Sequence, residues 1–283
     1  MIPAAFDYVR AGSAEEATSL LQQHGDDAKL LAGGHSLIPL MKLRLVSPGV
    51  LIDVGRITDL SYIRDSGDHI AIGALTRHHD IEHSDVLKSE VPILAHVAGL
   101  VGDPQVRHRG TIGGSLAHGD PASDLPAVVL ALGGTLVARG PGGERTIAAD
   151  DFFTGFLETA LAPDELLTEV RVPKVAGAGW SYQKFNRRAL DWAIVGVAAV
   201  KNVPRGNGGA PRNGYGVALV NMGSTPLRAT AVEQALSSGA SAADAALQAA
   251  EGTEPPTDLN ASPEYRRHLA QVLVRRALQE AGG

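Results

Sequence analysis

Two short segments constrain this chain more than anything else in it. Each joins paired glycines to a hydroxyl-bearing neighbour: Leu30-Leu31-Ala32-Gly33-Gly34-His35-Ser36-Leu37-Ile38-Pro39 and Arg109-Gly110-Thr111-Ile112-Gly113-Gly114-Ser115. Lacking a Cβ, glycine lets successive backbone N–H groups turn toward one point, a nest for an anion. In the first segment the glycines end an apolar strand, with Ser36 as a hydroxyl donor and His35 as a third polar group. In the second, Thr111 is an extra donor. Neither segment carries the Gly-x-Gly-x-x-Gly that opens a helix in dinucleotide folds, nor the Gly-Lys-Ser/Thr of a phosphate loop. Lying about eighty residues apart, they suit one ligand with two phosphates, gripped from both sides. The residues alone leave a plainer reading open, in which both are structural turns.

Around these segments the pattern reads as α+β, since strands and helices do not alternate regularly. Ser13-Ala14-Glu15-Glu16 has capping-box spacing and starts a helix that ends near Gly25. Strands are expected at 29–32 and 50–54, a hairpin across 62–72, a helix over 92–101, a glycine-rich loop over 103–121 and a buried helix over 123–132. A second hairpin spans 135–148. A boundary is expected over 173–179, where Pro173 and the glycines break the periodicity. Strands follow at 180–186, 194–201 and 215–221, with a mobile turn at 204–211. Helices over 230–237, 241–250 and 263–280 close the chain, the last capped by Ser262 with Pro263 at its first position.

Other segments carry weaker chemistry. His79-Asp80-Ile81-Glu82-His83 matches the His-x-x-Glu-His of inverted zincins, but it is short and charged, with one apolar residue, and a solvated surface helix explains it better. His96, His108 and His118 are scattered and suit hydrogen-bonded core or loop positions. There is no Gly-x-Ser-x-Gly nucleophile elbow. The stretch from Ser181 to Ile194 gathers three cations and three aromatics, which suits either a strand with a basic turn or a cation and a stacking ring beside an electron-rich ligand.

The chain has no cysteine, which excludes disulfides, thiol catalysis and a thiolate-held iron–sulfur cluster on this polypeptide. Its net charge of −6 gives no basic footprint for nucleic acid. Apolar stretches fall short of the ~20 residues that a membrane span needs, and the opening residues do not read as an export signal. A cytoplasmic protein is expected.

Taken together, Ala32 to Pro39 and Thr111 to Ser115 resemble the two FAD-binding loops of the medium flavoprotein subunits of molybdenum hydroxylases, nearest to carbon monoxide dehydrogenase and further from xanthine dehydrogenase. The likeness runs from Ile2-Pro3 with Phe6-Asp7-Tyr8 to the helix of Pro263, Glu264, Tyr265, Arg266 and Arg267. It implies a two-subdomain FAD-binding fold of the vanillyl-alcohol oxidase (PCMH) type, residues 1–55 and 56–175, plus a C-terminal domain, 176–283, with a three-stranded sheet and helices. By the same resemblance Ala32, Gly33, Gly34, His35, Ser36, Leu37, Ile38 and Pro39, with Thr111, Ile112, Gly113, Gly114 and Ser115, cradle the FAD pyrophosphate. Val101 lines the site, Asp124 bonds a hydroxyl of the FAD sugar chain and Leu167 (or Leu166) meets the adenine region. Lys184 contacts the cofactor, and Trp192 lies beside the isoalloxazine. Ser115 stands where an Asn is common.

The resemblance further implies partners: a small subunit with 2Fe-2S clusters and a large subunit with the molybdenum cofactor, in a dimer of heterotrimers. No nucleic acid and no membrane span are expected, with peripheral membrane association through the complex left open. Electrons would pass from the partner's clusters through FAD to an external acceptor, and no catalytic residue or metal ligand is assigned to this chain. The alternatives are a stand-alone FAD-dependent oxidoreductase, a metallopeptidase built on His79, Glu82 and His83, and a non-catalytic interaction module.

Overall fold

Parallel pairing around a four-residue apolar strand opens the chain. In the computed structural model, which describes residues 2–203 and 214–282, β1 (Asp7–Arg10), β2 (Ala28–Leu31) and β3 (Val50–Asp53) form a sheet in the order β1-β3-β2, both pairs parallel. Parallel neighbours need a crossover, and the chain leaving β1 passes through α1 (Ala14–His24) and β2 before it returns beside β1 as β3. Ser13 Oγ accepts from the Glu16 N–H at 3.1 Å, and Glu16 reaches back to the Gly12 N–H at 2.6 Å, a capping box with its carboxylate set one residue outward. Ala14, Ala17 and Leu21 bury the inner face of α1 against Ile52 and Val54. A short helix, α2 (Leu37–Lys42), follows the first glycine pair.

The next sheet is antiparallel. Its strands are β4 (Ile63–Asp65), β5 (His69–Gly73), β6 (Thr135–Gly140), β7 (Gly143–Ala148) and β10 (Leu166–Pro173), in the order β4-β5-β10-β6-β7. Six helices are inserted between β5 and β6: α3 (His78–His83), α4 (Asp85–Glu90), α5 (Pro92–Ala98), α6 (Pro104–Arg107), α7 (Ile112–His118) and α8 (Asp124–Leu132). The glycine-rich stretch expected as a loop therefore contains α6 and α7. After β7 come α9 (Ala149–Phe152) and the small pair β8 (Phe153–Gly155) and β9 (Glu158–Thr159).

The C-terminal third holds the three expected long strands, β11 (Trp180–Phe185), β12 (Val195–Lys201) and β13 (Tyr215–Val220), with a two-residue β14 (Leu227–Arg228) at the edge. The turn expected at 204–211 lies outside the described residues. Helices α10 (Thr230–Ser237), α11 (Ala242–Ala246) and α12 (Pro263–Glu280) follow, Ser262 Oγ capping the last at the Tyr265 N–H.

Strand alternation explains how this third joins the rest. Ala198, Val200, Ala218 and Val220 turn toward α8, in the core that also holds Ile72, Leu136 and Val170. Val195, Val197, Val217 and Leu219 turn the other way, onto Leu273, Val274 and Ala277 of α12. Period-two alternation with both faces apolar gives the unbroken apolar run seen in the sequence. All nine residues of α8 are buried, as expected for a helix that is apolar all round and sits between layers. A Cβ at Gly216 of β13 would collide with the Ala131 carbonyl of α8, so glycine permits this approach. No helix among the described residues is long and apolar enough to cross a membrane.

Candidate functional site

The first glycine segment leaves β2, the second joins α6 to α7, and the two meet back to back. Gly33 has no room for a side chain: a Cβ there would collide with the Arg109 carbonyl and lie 2.9 Å from the Gly110 Cα. On the other loop, a Cβ at Gly114 would come within 3.9 Å of the Ala32 Cβ, and one at Gly113 within 2.5 Å of the Ala74 Cβ. Gly34 takes φ +80°, which turns the chain into α2, whose first turn holds Leu37, Ile38 and Pro39.

Their hydrogen bonding separates the roles of the two loops. Among the described residues, the N–H groups of Gly33, Gly34, His35 and Ser36 make no hydrogen bond within the chain. In the second loop, Ile112 donates to Thr76 O at 3.0 Å, Gly113 to Ala74 O at 2.8 Å, Gly114 to Thr111 Oγ1 at 3.1 Å and Ser115 to Thr111 O at 3.0 Å. The first loop therefore offers amides. The second offers the half-buried Ser115 hydroxyl and a wall, because its amides are spent on Thr76, Ala74 and the Thr111 cap of α7. Four consecutive unpaired amides beside a tight glycine contact fit a diphosphate. Thr111 is the N-cap of α7. Thr111→Ala should lower the stability of the protein by about 1 kcal/mol, measured by chemical denaturation, while Thr111→Ser keeps it.

His78, which nothing in the sequence marks as a site residue, supports the junction from beneath. Its N–H donates to the Gly110 carbonyl at 3.0 Å, and its ring backs onto Gly110. Burial first, then the charges of Arg107 and His35, lowers its pKa to about 4, so the ring is neutral at physiological pH. Its buried Nδ1 has no partner among the described residues. The one usable signal was Ile81 three residues on, which places His78 on the buried face of α3.

A second polar group lies where α8 meets β11. Lys184 Nζ donates to Asp124 Oδ2 at 2.8 Å and to the Leu100 carbonyl at 3.0 Å, and Tyr182 donates to Asp124 Oδ1 at 2.5 Å. The side chains of Lys184 and Asp124 are only 8% and 5% exposed. Burial pushes the Asp124 carboxyl above its ordinary range, with Lys184 and Tyr182 pulling it back. Burial and the neighbouring Asp124 drive the Tyr182 phenol well upward. Tyr182, two residues before Lys184 and so on the same strand face, was not among the expected site residues. Asp124 is thus engaged on both oxygens at the floor of the region.

The remaining expected residues scatter. Val101 is half-buried, and its carbonyl accepts from Arg107 at 3.3 Å. Leu167 is buried in the main core and Leu166 in the N-terminal one. Trp192 is 59% exposed and lines a cavity of about 610 Å³ with Asp120, Pro121, Arg187 and Asn221. That cavity begins just past the C-terminal end of α7, whose N-terminal end carries the glycine contact.

Residues 4–175 match the family model for the FAD binding domain in molybdopterin dehydrogenase, and residues 180–281 match the CO dehydrogenase flavoprotein C-terminal domain. The chain belongs to the FAD-binding medium-subunit family of the molybdenum hydroxylases, flavoprotein subunits of oxidoreductase complexes. Over 286 residues it is 43% identical to the carbon monoxide dehydrogenase medium chain of Hydrogenophaga pseudoflava, covering 99% of this chain and 98% of that one. The structure of that organism's carbon monoxide dehydrogenase lacking the Mo-pyranopterin moiety superposes with a TM-score of 0.94, at 44% identity, covering 100% of this chain and 99% of the other. The alpha subunit of the 6-hydroxypseudooxynicotine dehydrogenase complex of Paenarthrobacter nicotinovorans is 39% identical over 287 residues, covering 99% and 96%.

Proposed function

We propose that this chain is the flavin relay of a carbon monoxide dehydrogenase-like complex. It takes electrons from the iron–sulfur clusters of a small subunit and passes them to an external acceptor, while a large subunit oxidises the substrate at a molybdenum cofactor. The observation that carries the reading is the glycine contact itself, with four unpaired amides on one side and the Ser115 hydroxyl on the other. FAD, when bound, supplies the redox chemistry; the chain binds and orients it. Gly33 to Ser36 hold the pyrophosphate through amides and Ser115 adds a hydroxyl. α7, seven residues and so about 10 Å long, is short enough for one extended dinucleotide to run from the glycine contact to the cavity. Trp192, which lines that cavity, would stack on the flavin ring. Asp124 and Tyr182 hold Lys184 in place beneath, its charge raising the reduction potential of the flavin.

A polypeptide without cysteine cannot provide the thiolates of iron–sulfur clusters, which supports placing them on a partner. The same reading divides the chain into 1–55, 56–175 and 176–283, and sets it in the cytoplasm in a dimer of heterotrimers. Subunits of complexes named for carbon monoxide and for 6-hydroxypseudooxynicotine are similarly related to this chain, which supports substrate choice residing on the large subunit. Purification from the native source tests the proposal. A yellow preparation containing a cysteine-rich small subunit and a large molybdenum subunit is expected. A yellow but solitary chain that oxidises a substrate unaided would indicate the stand-alone oxidoreductase, and a flavin-free chain would defeat both.

A further inference from the structure

One motif is left over from the flavin site. In α3, His79 and His83 stand four residues apart and share a face. The ligand atoms of His79, Glu82 and His83 all lie within 4.8 Å of one another. A third imidazole approaches from another element: the ring of His108, just past α6, lies 4.1 Å from that of His79, and the His83 ring lies 4.2 Å away. None of these rings is needed for packing, because α3 turns His78 and Ile81 to the core.

The hydrogen bonding around the cluster prepares it for a cation. His83 donates from Nδ1 to the His79 carbonyl at 2.9 Å, which leaves the lone pair on its Nε2, the usual arrangement behind a metal-bound imidazole. Glu82 is held by Arg107, whose Nε donates to Oε2 at 2.8 Å while Nη1 bonds the carbonyls of Val101 and Gly102 at 3.3 and 3.2 Å. Oε2, the oxygen 3.9 Å from His83 Nδ1, is thereby anchored, and Oε1 makes no hydrogen bond among the described residues. The same bond argues against hydrolysis, since a peptidase needs this carboxylate free to act as base on water.

We propose that His79, Glu82 and His83, joined by His108 once its exposed ring turns out of its 30° stack on His79, form a binding site for a divalent transition-metal ion of the zinc class. Three imidazoles and one carboxylate suit zinc, nickel or copper and disfavour the oxygen-seeking magnesium and calcium. The bound ion ties α3 to the segment that runs through Gly110 into the second glycine loop. The site is independent of the flavin assignment, because it shares no ligand with it.

The full chain, treated with a chelator and then titrated with Zn²⁺ against a chromophoric competitor, should take up a single ion. His79→Ala with His83→Ala should weaken that uptake by about 100-fold or more, and His108→Ala by about tenfold, with flavin content unchanged as evidence of folding. Co²⁺ on the unaltered chain should give the intense visible bands of tetrahedral nitrogen–oxygen coordination, which tests the site even if the double variant fails to fold. Uptake of Zn²⁺ no tighter than about 1 mM, equal affinity in the double variant, or a Co²⁺ spectrum with only weak octahedral bands would overturn the proposal.

Discussion

Replacing Gly33 by alanine should leave the purified protein nearly colourless. The φ of Gly33 is not the obstacle, since the left-handed residue is its neighbour Gly34. The obstacle is space: the new Cβ falls on the Arg109 carbonyl and on the Gly110 Cα. Both are main chain, so no rotamer change relieves the clash, and the loops must part. Overpacking of this kind costs about 3 kcal/mol, and parting the loops removes the amide nest that the relief would have to preserve. FAD affinity should fall by about 100-fold, read from flavin absorbance after purification and from titration of the apoprotein with FAD. Gly142→Ala is the matched control, because a Cβ there meets nothing within 4 Å; it should stay yellow. A Gly33→Ala protein that binds FAD like the parent would show that the loop contact is not the pyrophosphate site.

The second large effect is expected at Lys184. Removing one partner of a buried ion pair is costly because the other is left uncompensated. Lys184→Met strands Asp124, whose carboxyl burial already pushes upward, beside the Leu100 carbonyl. Loss of about 3 kcal/mol of stability follows, softened as Asp124 takes up a proton. Lys184→Met with Asp124→Asn should lose clearly less than the two single changes added together, because the two groups share one interaction. Two further readouts separate structure from cofactor chemistry. FAD affinity should fall, and the reduction potential of the flavin should drop, since a cation near the site favours electron uptake. Unchanged stability in Lys184→Met would refute the buried-pair argument. An unchanged potential with lowered stability would confine Lys184 to a structural role.

The elements legible in the sequence are those whose burial is written locally. β12 and β13 are apolar on both faces, α8 is apolar all round, and α12 begins with Ser262 and Pro263. The glycine pairs were legible too, since only a backbone need places two such pairs beside hydroxyls. What stayed hidden depends on distant partners. α7 read as loop because Gly113 and Gly114 have poor helix propensity; the Thr111 cap and the burial of Ile112 and Leu116 override it. β1 exposes most of its four residues and exists because β3 pairs with it. β10 is the middle strand of its sheet, yet its partners β5 and β6 come from far earlier in the chain. His78 was masked by the charged residues around it, although its ring underlies the whole junction.

The wholly buried α8 has one more implication. Its outer face is covered by β12 and β13, which arrive some sixty to ninety residues later than it does. During synthesis that face waits, apolar and uncovered, until the last third of the polypeptide has emerged from the ribosome. A chain truncated before β12 would be held by chaperones or lost to proteolysis, so the protein matures late and as one piece.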